Sequence, residues 1–415
     1  MPMQRVRELI KAELADLAEI RHDLHAHPEL AYQERRTSGV VVRELQKLGI
    51  IHKAGLAALS GGSGTGVIAH LPATRAGSSC GSIALRADID ALPITERTGA
   101  AYASKTAGLM HACGHDGHTA NLIGVARVLS KIERPSPVTL IFQPAEEGGG
   151  GGKRLCDEGA LDGEGKGGLG EPVTRIYGLH GWPQLPVGVV ASRPGPLLAA
   201  TDNFTVTIKG TQAHAAYPHL AHDPIVAAAQ LVTALQTIAS RTVPPLQSVV
   251  VTIGIIKGGT ARNIIPESAS FTGTMRTLSA DIRALARTRF FEICEHGARA
   301  MGCAATIDWE EGYPVTENEP GATARFFEIA RRIVGADRVA EVPEPSMGGE
   351  DFSYYGRHPI GGITGAATVP ACFFVLGVRP PDRTEYPSLH QPEYDFNDAA
   401  LATGIEVMCG LALEA

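Results

Sequence analysis

Residues 110–120 read "MHACGHDGHTA" and place three histidines, one cysteine and one aspartate within eight positions. Thiolate, imidazole and carboxylate together suit a borderline transition metal such as zinc, manganese, cobalt or nickel better than calcium or magnesium. Taken alone, the segment also fits a cluster of buried structural residues or a closed structural zinc site, because a lone cysteine is most often a packing residue. The polar residues elsewhere in the chain therefore decide which chemistry is present.

Further polar residues follow apolar runs that are typical of buried strands. They are Asp88 and Asp90 after "IALRA", Glu146 and Glu147 after "VTLIFQPA", His180 after "RIYGL", and His390 after a short connection beyond "ACFFVLGV". Since ligands in open α/β sheets gather at the carboxyl ends of strands, we expect these side chains to converge with Cys113 and His115. A closed structural zinc site needs four ligands, and this pattern offers at least five with a spare glutamate. It therefore favours a two-metal catalytic centre, with His111 and His118 as structural residues or as residues that orient the ligands.

The elements that must position these residues are predicted by the hydrophobic pattern. Between residues 65 and 193, the runs "GVIAHL", "SIALRADID", "VTLIFQPAEE" and "RIYGLHGWP" predict strands, and "GHTANLIGVARVLSKIE" predicts an amphipathic helix. This alternation favours an α/β sheet with much parallel pairing. The N-terminal residues predict an amphipathic helix whose apolar face comprises Val6, Ile10, Leu14, Leu17 and Leu24.

The pattern changes near residue 197. The runs "NFTVTIKG", "SVVVTIGIIKGG" and "ASFTGTMRTL" alternate with period two, and helices are predicted from Asp223, with Pro224 in the first turn, and from Ser279 to Gly302. Four strands with two helices on one face predict a small α+β sandwich. After about residue 308 the α/β character returns. The expected organisation is a discontinuous catalytic domain, residues 1–196 and 308–415, interrupted by an inserted domain, residues 197–307.

Composition excludes several classes of partner. The chain of 415 residues carries a net charge of −7, which gives no basic footprint for nucleic acid and no polybasic membrane patch. No apolar run approaches the ~18 residues that a membrane span needs, and the N-terminus has no secretory h-region. The seven cysteines show no C-x-x-C spacing, so a reducing cytoplasm is the expected location.

Three other motifs lack the context that their chemistry requires. "GSSCG", residues 77–81, matches a nucleophile elbow, but Ser79 precedes a predicted strand instead of following one. "GEGKGG", residues 163–168, has no strand leading in and no helix following, and "EGGGGGKR", residues 147–154, lacks the first glycine and the final Ser/Thr of a P-loop. Serine hydrolase and nucleotide-binding functions are therefore disfavoured.

Ten motifs in order, spanning about residues 20 to 400, carry a family resemblance. They are "RHDLHAHPEL", "ALRADIDALPI", "MHACGHDGHTA", "FQPAEEGGGG", "GLHGWP", "HAAYPH", "GGTARNIIP", "GTMR", "MGGEDFSYY" and "LHQPEYDFND". The sequence resembles the hippurate hydrolase and auxin-conjugate amidohydrolase branch of the aminoacylase and glutamate-carboxypeptidase metallopeptidase family. The resemblance implies a zinc-peptidase-like α/β catalytic domain with a mixed sheet flanked by helices, interrupted by an α+β, ferredoxin-like dimerisation and lid domain.

The resemblance also implies roles for individual residues. Two divalent metal ions per subunit (zinc, manganese, nickel or cobalt) are expected, with Glu146 as the general base. The implied metal ligands are Cys113 in the bridging place, His115, Glu147, His180 and His390. In the wider family a histidine ligand stands in an H-x-D motif, where this chain has Arg86-Ala87-Asp88, as does the branch it resembles. An orienting role is expected for Asp88.

The remaining implied roles fall on the inserted domain. His214 and Asn263 are candidates to stabilise the tetrahedral oxyanion, and in the family the lid histidine reaches the other subunit's active site. Arg276 is a candidate clamp for a substrate carboxylate, and an exposed strand arginine is the alternative. The expected function is hydrolysis of N-acyl amino acids, hippurate-like or N-acetyl, by a homodimer or dimer-based oligomer. A dipeptidase or carboxypeptidase, or an inactive metal- or peptide-binding relative, remains the alternative.

Overall fold

The computed structural model describes residues 2–59, 61–75 and 81–413. The chain divides into two compact units. Unit 1 comprises Met1–Leu197, Glu317–Glu344 and Asp351–Ala415, and unit 2 comprises Leu198–Thr316 and Pro345–Glu350. Ser79 of the G-x-S-x-G motif lies outside the described residues. Among the residues described, none of the helices has the length and apolarity needed to cross a bilayer.

The described residues form sixteen strands and eight α-helices. The strands are β1 (Ile51–Leu56), β2 (Gly66–Leu71), β3 (Ser82–Asp88), β4 (Val138–Gln143), β5 (Val173–Pro186), β6 (Val190–Ser192), β7 (Gly195–Leu198), β8 (Ala200–Lys209), β9 (Ala213–His214), β10 (Val249–Gly258), β11 (Ile264–Ile265), β12 (Ser268–Thr277), β13 (Ala304–Glu311), β14 (Thr316–Asn318), β15 (Val339–Glu341) and β16 (Ala371–Arg379). The α-helices are α1 (Pro2–His25), α2 (Arg35–Lys47), α3 (His115–Leu129), α4 (Gly151–Asp157), α5 (Pro224–Leu235), α6 (Ala280–Ala300), α7 (Pro320–Val334) and α8 (Ala400–Leu413).

Unit 1 is built on an eight-stranded mixed sheet in the order β1-β2-β4-β3-β5-β16-β6-β15. Its centre, β4-β3-β5-β16, is parallel throughout, whereas β1, β2 and β6 pair antiparallel with their neighbours towards the centre. β2, β3 and β4 are buried along their whole length, as expected for strands covered on both faces. The predicted mixed sheet flanked by helices is confirmed.

The helices of unit 1 fix the position of α3, which begins at the candidate site. Every residue of α3 is buried, and the helix packs against α1, α8 and β3. The predicted apolar face of α1 is buried at Val6, Ile10, Leu17 and Leu24. Gly124 of α3 permits this close packing, because a Cβ there would lie 2.5 Å from Ile405 and 2.9 Å from Leu17. The start of α3 therefore has little freedom to move.

Unit 2 contains an antiparallel sheet in the order β10-β12-β8-β13. Alternate residues of β8, Phe204, Val206 and Ile208, are buried and form a core with α5 and α6. The Asp223 side chain accepts hydrogen bonds from the N–H groups of Ile225 and Val226, and so caps α5. The hydrophobic pattern located both helices and three of these strands, β8, β10 and β12, and it predicted four strands in total without locating β13.

The boundary of unit 2 differs from the predicted end of the insertion at residue 307. That position lies inside β13, which stays paired with β8 as far as Glu311 opposite Asp202. Unit 2 therefore runs to Thr316 and also includes Pro345–Glu350. The sequence also predicts that "NFTVTIKG" and the helix from Asp223 form a sheet that pairs with a second copy. In the structure β8 is paired with β12 and β13, so this strand is central and has no free edge.

Candidate metal centre

Most of the predicted ligands of unit 1 lie in loops that leave the central strands. Asp88 is the last residue of β3, and Glu146 and Glu147 follow β4. His180 lies inside β5 opposite Val375, and not beyond the end of a strand as predicted, because β5 continues to Pro186. Its side chain nevertheless reaches the same group of residues.

The loop that precedes α3 and the first residue of this helix carry two further predicted ligands. Gly114 has a φ of 89°, a left-handed conformation that glycine adopts without strain, and it turns the chain between Cys113 and the first helical residue, His115. His390 comes from the far end of the sequence, and its N–H donates to the carbonyl of Ala112 at 2.8 Å. This hydrogen bond holds His390 beside Cys113.

The structure brings the five predicted ligands together as two groups that share Cys113. Ligand atoms of Cys113, His115 and His180 all lie within 4.8 Å of one another, and so do those of Cys113, Glu147 and His390. The Cys113 sulfur is 3.3 Å from Nε2 of His180, and Nε2 of His390 is 3.2 Å from Oε1 of Glu147. We call these groups the His115 triad and the His390 triad.

The hydrogen bonds of the two buried histidines leave one nitrogen of each ring available. Nδ1 of His115 donates to the carbonyl and carboxylate of Asp90, at 2.9 and 3.1 Å, and its buried Nε2 has no hydrogen-bond partner. Nδ1 of His180 donates to the carbonyl of Gly181 at 2.8 Å, which directs Nε2 towards Cys113. The tautomers, with the proton on Nδ1 in both rings, are assigned from these hydrogen-bond partners. Metal-binding histidines characteristically donate their other N–H in this way, so the His115 triad fits a metal ion.

His118 and His111 differ from these ligands. Nδ1 of His118 donates to Oδ1 of Asp88 at 2.6 Å, and its Nε2 accepts the N–H of Gly181 at 2.8 Å. Both nitrogens are thus occupied, which favours a structural role. His111 is buried with neither ring nitrogen hydrogen-bonded, and burial lowers its pKa to about 4.

Asp88 is held by a buried arginine. Nη1 of Arg86 donates to Oδ2 of Asp88 at 2.7 Å, Nε donates to Gln143 at 2.9 Å, and Nη2 donates to Asp351 at 3.1 Å. Burial alone would raise the pKa of Asp88, but His115, His118 and Arg86 outweigh it and hold that pKa well below its usual value. Arg86, at the place of the wider family's histidine ligand, therefore contributes a cation that fixes Asp88.

The electrostatics around the thiol and the glutamates depend on burial. Burial, followed by Glu147 and Glu146, raises the pKa of Cys113 well above its usual value. Burial also acts to raise the pKa of Glu147, but the hydrogen bond from His390 and the charge of His115 lower it on balance. A divalent cation has the opposite effect on a thiol and favours the thiolate. Cys113 is therefore a poor thiolate by itself and a suitable metal ligand.

Glu146 lies beside these ligands without belonging to either triad. It is buried, its Oε1 is 3.4 Å from the backbone nitrogen of Asp351, and it groups with His115 and Glu147 within 4.8 Å. A carboxylate at this place can accept a proton from a water next to the ligands.

The other predicted site residues lie in unit 2. His214 in β9 is paired with Ile264 in β11, and the N–H of Ala215 donates to the carbonyl of Asn263 at 3.0 Å, so His214 and Asn263 are neighbours on an exposed surface. Arg276 lies on β12 and is half-buried, and burial lowers its pKa. Sequence reasoning missed Tyr32 and Glu34, which contact the turn that carries Glu146; no recognisable motif marks them.

Comparisons with known proteins identify the family of the chain. Residues 84–414 match the family described as Peptidase family M20/M25/M40. The chain is 43% identical over 343 residues to an N-acetyl-L-cysteine deacetylase of Bacillus subtilis (strain 168), covering 82% of this chain and 77% of that relative. It is 36% identical over 399 residues to the IAA-amino acid hydrolase ILR1-like 4 of Arabidopsis thaliana, covering 95% of this chain and 84% of that relative.

Two solved structures share the fold along the whole chain. A putative aminohydrolase from methicillin-resistant Staphylococcus aureus has a TM-score of 0.86 at 30% identity, covering 99% of both chains. The Bacillus subtilis YXEP protein, described as a dinuclear metal-binding peptidase of the M20 family, has a TM-score of 0.78 at 32% identity, covering 97% of this chain and 98% of that one. With a family match over residues 84–414 and relatives above 30% identity along most of its length, the chain belongs to peptidase family M20/M25/M40.

Proposed function

We propose that the protein is a dinuclear metal-dependent amidohydrolase that cleaves N-acyl amino acids to a carboxylic acid and a free amino acid. The observation that carries the proposal is that one thiol, Cys113, belongs to both triads, as a ligand shared by two metal ions must. The names of the relatives add the substrate class, since one is an N-acetyl-L-cysteine deacetylase and another an IAA-amino acid hydrolase.

The proposed ligands of the two ions are the members of the triads, Cys113, His115, Glu147, His180 and His390. The donor set of one thiolate, three imidazoles and one carboxylate suits zinc, manganese, nickel or cobalt. When bound, such ions polarise an amide carbonyl and make a water acidic near neutral pH. The protein's own contribution begins with Glu146, which accepts the proton of the attacking water and passes it to the leaving nitrogen.

Unit 2 is proposed to supply groups that contact the substrate. Nδ1 of His214 accepts the N–H of Ala216 at 3.1 Å, which places the ring proton on Nε2 and makes Nε2 a donor. Such a donor, with the amide of Asn263, suits a carbonyl oxygen that becomes an oxyanion. The guanidinium of Arg276 is proposed to bind the free carboxylate of the amino acid.

We also propose that the protein is a homodimer of the cytoplasm, formed through unit 2. β10 is an edge strand of the sheet in the described chain, and it exposes Val250, Ile255 and Ile256. An exposed apolar edge is a template for pairing with a second copy around a two-fold axis. The trans contribution of His214 to the partner's active site remains part of this proposal.

The test is a hydrolysis screen with metals replaced one at a time. Metal-free protein is given zinc, manganese, nickel or cobalt and is then assayed on N-acetyl, N-benzoyl and N-indoleacetyl amino acids and on unblocked dipeptides. Hydrolysis of N-acyl amino acids that requires the metal is expected. Turnover of dipeptides alone would instead identify a peptidase, and full activity without metal, or metal binding without any hydrolysis, would overturn the proposal.

A further inference from the structure

Glu146 and Glu147 lie in a tight turn between β4 and α4 that is held in an unfavourable backbone conformation. Ala145, directly before them, has a φ of 55°, in the left-handed region that residues with a Cβ rarely adopt. A Cβ at Gly151 would lie 1.7 Å from the carbonyl oxygen of Pro144, and one at Gly149 would lie 2.6 Å from Cβ of Ala145. Such a turn persists only if contacts from outside it determine its shape.

The first outside contact is made by Glu34 at the beginning of the turn. Oε1 of Glu34 accepts the N–H of Ala145 at 2.9 Å, and its Oε2 accepts the hydroxyl of Thr65 at 2.6 Å. Glu34 precedes α2 but does not cap it with its side chain, so both carboxylate oxygens are engaged elsewhere. The residue is fully buried, which makes this contact inaccessible to competing water.

The second outside contact is made by Tyr32 at the end of the turn. Its hydroxyl donates a hydrogen bond to the carbonyl of Gly149 and accepts one from Nε of Arg154 at 2.8 Å. Tyr32 has a φ of 64°, a second left-handed residue with a side chain. The turn and the segment that contacts it thus each contain one strained residue, Ala145 and Tyr32, and such strain is typical of functional sites.

The two contacts, at Ala145 and Gly149, lie on either side of Glu146 and Glu147 in the sequence. Between them, the N–H of Glu147 donates to Oδ2 of Asp90 at 2.9 Å, and Leu30 forms a parallel bridge with Ala91 beside Asp90. The segment that carries Tyr32 and Glu34 is therefore fastened to the same strand end that orients His115.

We propose that Tyr32 and Glu34 act as a clamp that positions Glu147 as a metal ligand and Glu146 as the base. The clamp residues touch neither substrate nor metal, so they are positioning residues, and the proposal rests on the proposed function. Of the two triads, the His390 triad contains a residue of the turn, Glu147, and the His115 triad contains none. Loss of the clamp therefore weakens the His390 triad and leaves the His115 triad intact.

The experiment titrates the full-length, metal-free protein with Mn²⁺ and measures the two binding events by calorimetry. The variants are Tyr32→Phe and Glu34→Ala, with Glu147→Gln to identify which binding event belongs to the His390 triad. Partners of metal ligands typically change metal affinity by about 10–100-fold when removed. We expect each clamp variant to weaken the event that Glu147→Gln removes by that factor and to leave the other event unchanged.

Matched controls separate positioning from general stability. Glu29 is a nearby carboxylate that accepts from the N–H groups of Arg36 and Thr37 and makes no hydrogen bond to the turn. Tyr386 donates its hydroxyl to the carbonyl of Asp395 at 2.8 Å, as Tyr32 does to Gly149. Glu29→Ala and Tyr386→Phe should therefore leave both binding events unchanged. Glu34→Gln should restore wild-type binding, because its amide can accept from Ala145 and donate to Thr65.

The outcomes that overturn the clamp are specific. If the Tyr32→Phe and Glu34→Ala variants bind both ions with wild-type affinity, the turn keeps its conformation without the clamp. Equal weakening of both binding events would show that Tyr32 and Glu34 have only a structural role. If Glu34→Ala does not fold, Tyr32→Phe alone tests the clamp. A wild-type chain that binds two ions but hydrolyses no amide would refute the proposed function and leave the clamp standing, whereas a wild type that binds one ion would refute both.

Discussion

The Cys113 sulfur lies 3.3 Å from Nε2 of His180, and the same sulfur belongs to the group formed by Glu147 and His390. A closed structural zinc site uses four ligands around one ion and needs no shared atom. A thiol that belongs to two triads would instead be available to two ions, one held by each triad. The arrangement also explains why the segments come from such distant parts of the sequence, since each triad combines ligands from separate loops or strands.

Removing the shared thiol should weaken both metal sites. We expect Cys113→Ala to lower the affinity for both ions, and bound metal to protect Cys113 from alkylation in the wild type. Cys156→Ala is the matched control, because Cys156 is also 6% exposed and lies in neither triad. Metal analysis after dialysis measures the effect. Unchanged binding of both ions by Cys113→Ala would remove the thiol from the ligand set.

Substitutions of the adjacent glutamates should have different effects on metal content and on kcat. Glu147→Ala should lower the metal content, because Glu147 is the only carboxylate in the His390 triad. Glu146→Gln should retain both ions and lose kcat by roughly 10²–10⁴-fold, the usual range for a general base. Metal analysis and steady-state kinetics of the two variants provide the comparison. Equal metal loss in both would show that the roles of the pair are misassigned.

The sequence predicted the central sheet and the side chains that come together beside it better than the contacts that hold those side chains. Buried apolar runs followed by polar residues located Asp88 and the glutamates, because strand ends in such sheets converge. His180 was misplaced as lying beyond a strand end, since nothing in "RIYGLHGWP" shows that β5 continues to Pro186.

Long-range partners explain the rest of what the sequence could not show. Glu34 and Ala145 are 111 positions apart, so their contact depends on tertiary packing and no local pattern predicts it. The boundary of unit 2 lies beyond the predicted residue 307 for a similar reason. β13 is defined by pairing with β8, about 100 residues earlier, and its own exposed and polar residues give a weak strand pattern.

Arg86 should be essential for the stability of the fold as well as for the orientation of Asp88. Replacing it with Met removes the buried guanidinium that pairs with both Asp88 and Asp351, and breaking such a buried pair typically costs about 3–5 kcal/mol. Arg75→Gln is the control, since Arg75 pairs with Glu133 at the surface, where such pairs contribute about 0–1 kcal/mol. Urea unfolding of metal-free protein measures both. A loss below about 1 kcal/mol for Arg86→Met would show that the carboxylates are neutral or solvated.

The pH dependence of stability should report the buried carboxyl of Glu34. Burial, with a smaller contribution from Asp90, raises its pKa from 4.5 to about 7, while Thr65 and the N–H of Ala145 oppose the change. The folded protein therefore holds this proton more tightly than the unfolded chain, and the associated stability is present below pH 4.5 and lost as pH rises to about 7. Over that range the loss amounts to at most about 3 kcal/mol.

Glu34→Gln removes this titration. Relative to the wild type, the variant should gain thermal stability progressively between pH 4.5 and 8, measured on metal-free protein because bound cations would lower the carboxyl's pKa. Glu29→Gln, at a carboxylate with two backbone donors, provides the control. A difference in Tm between Glu34→Gln and wild type that does not vary with pH would show that Glu34 titrates normally.

The proposed trans role of His214 can be tested by complementation. His214→Ala and Glu146→Gln should each be nearly inactive alone. When the two variants exchange subunits, each mixed dimer has one site with both lesions and one with neither, provided that His214 acts on the partner's site. Random pairing in equal amounts makes about half of the dimers mixed, so activity should recover to about one quarter of the wild type. Mixing each variant with itself is the control. If subunit exchange is demonstrated and no activity returns, His214 acts within its own chain or outside catalysis.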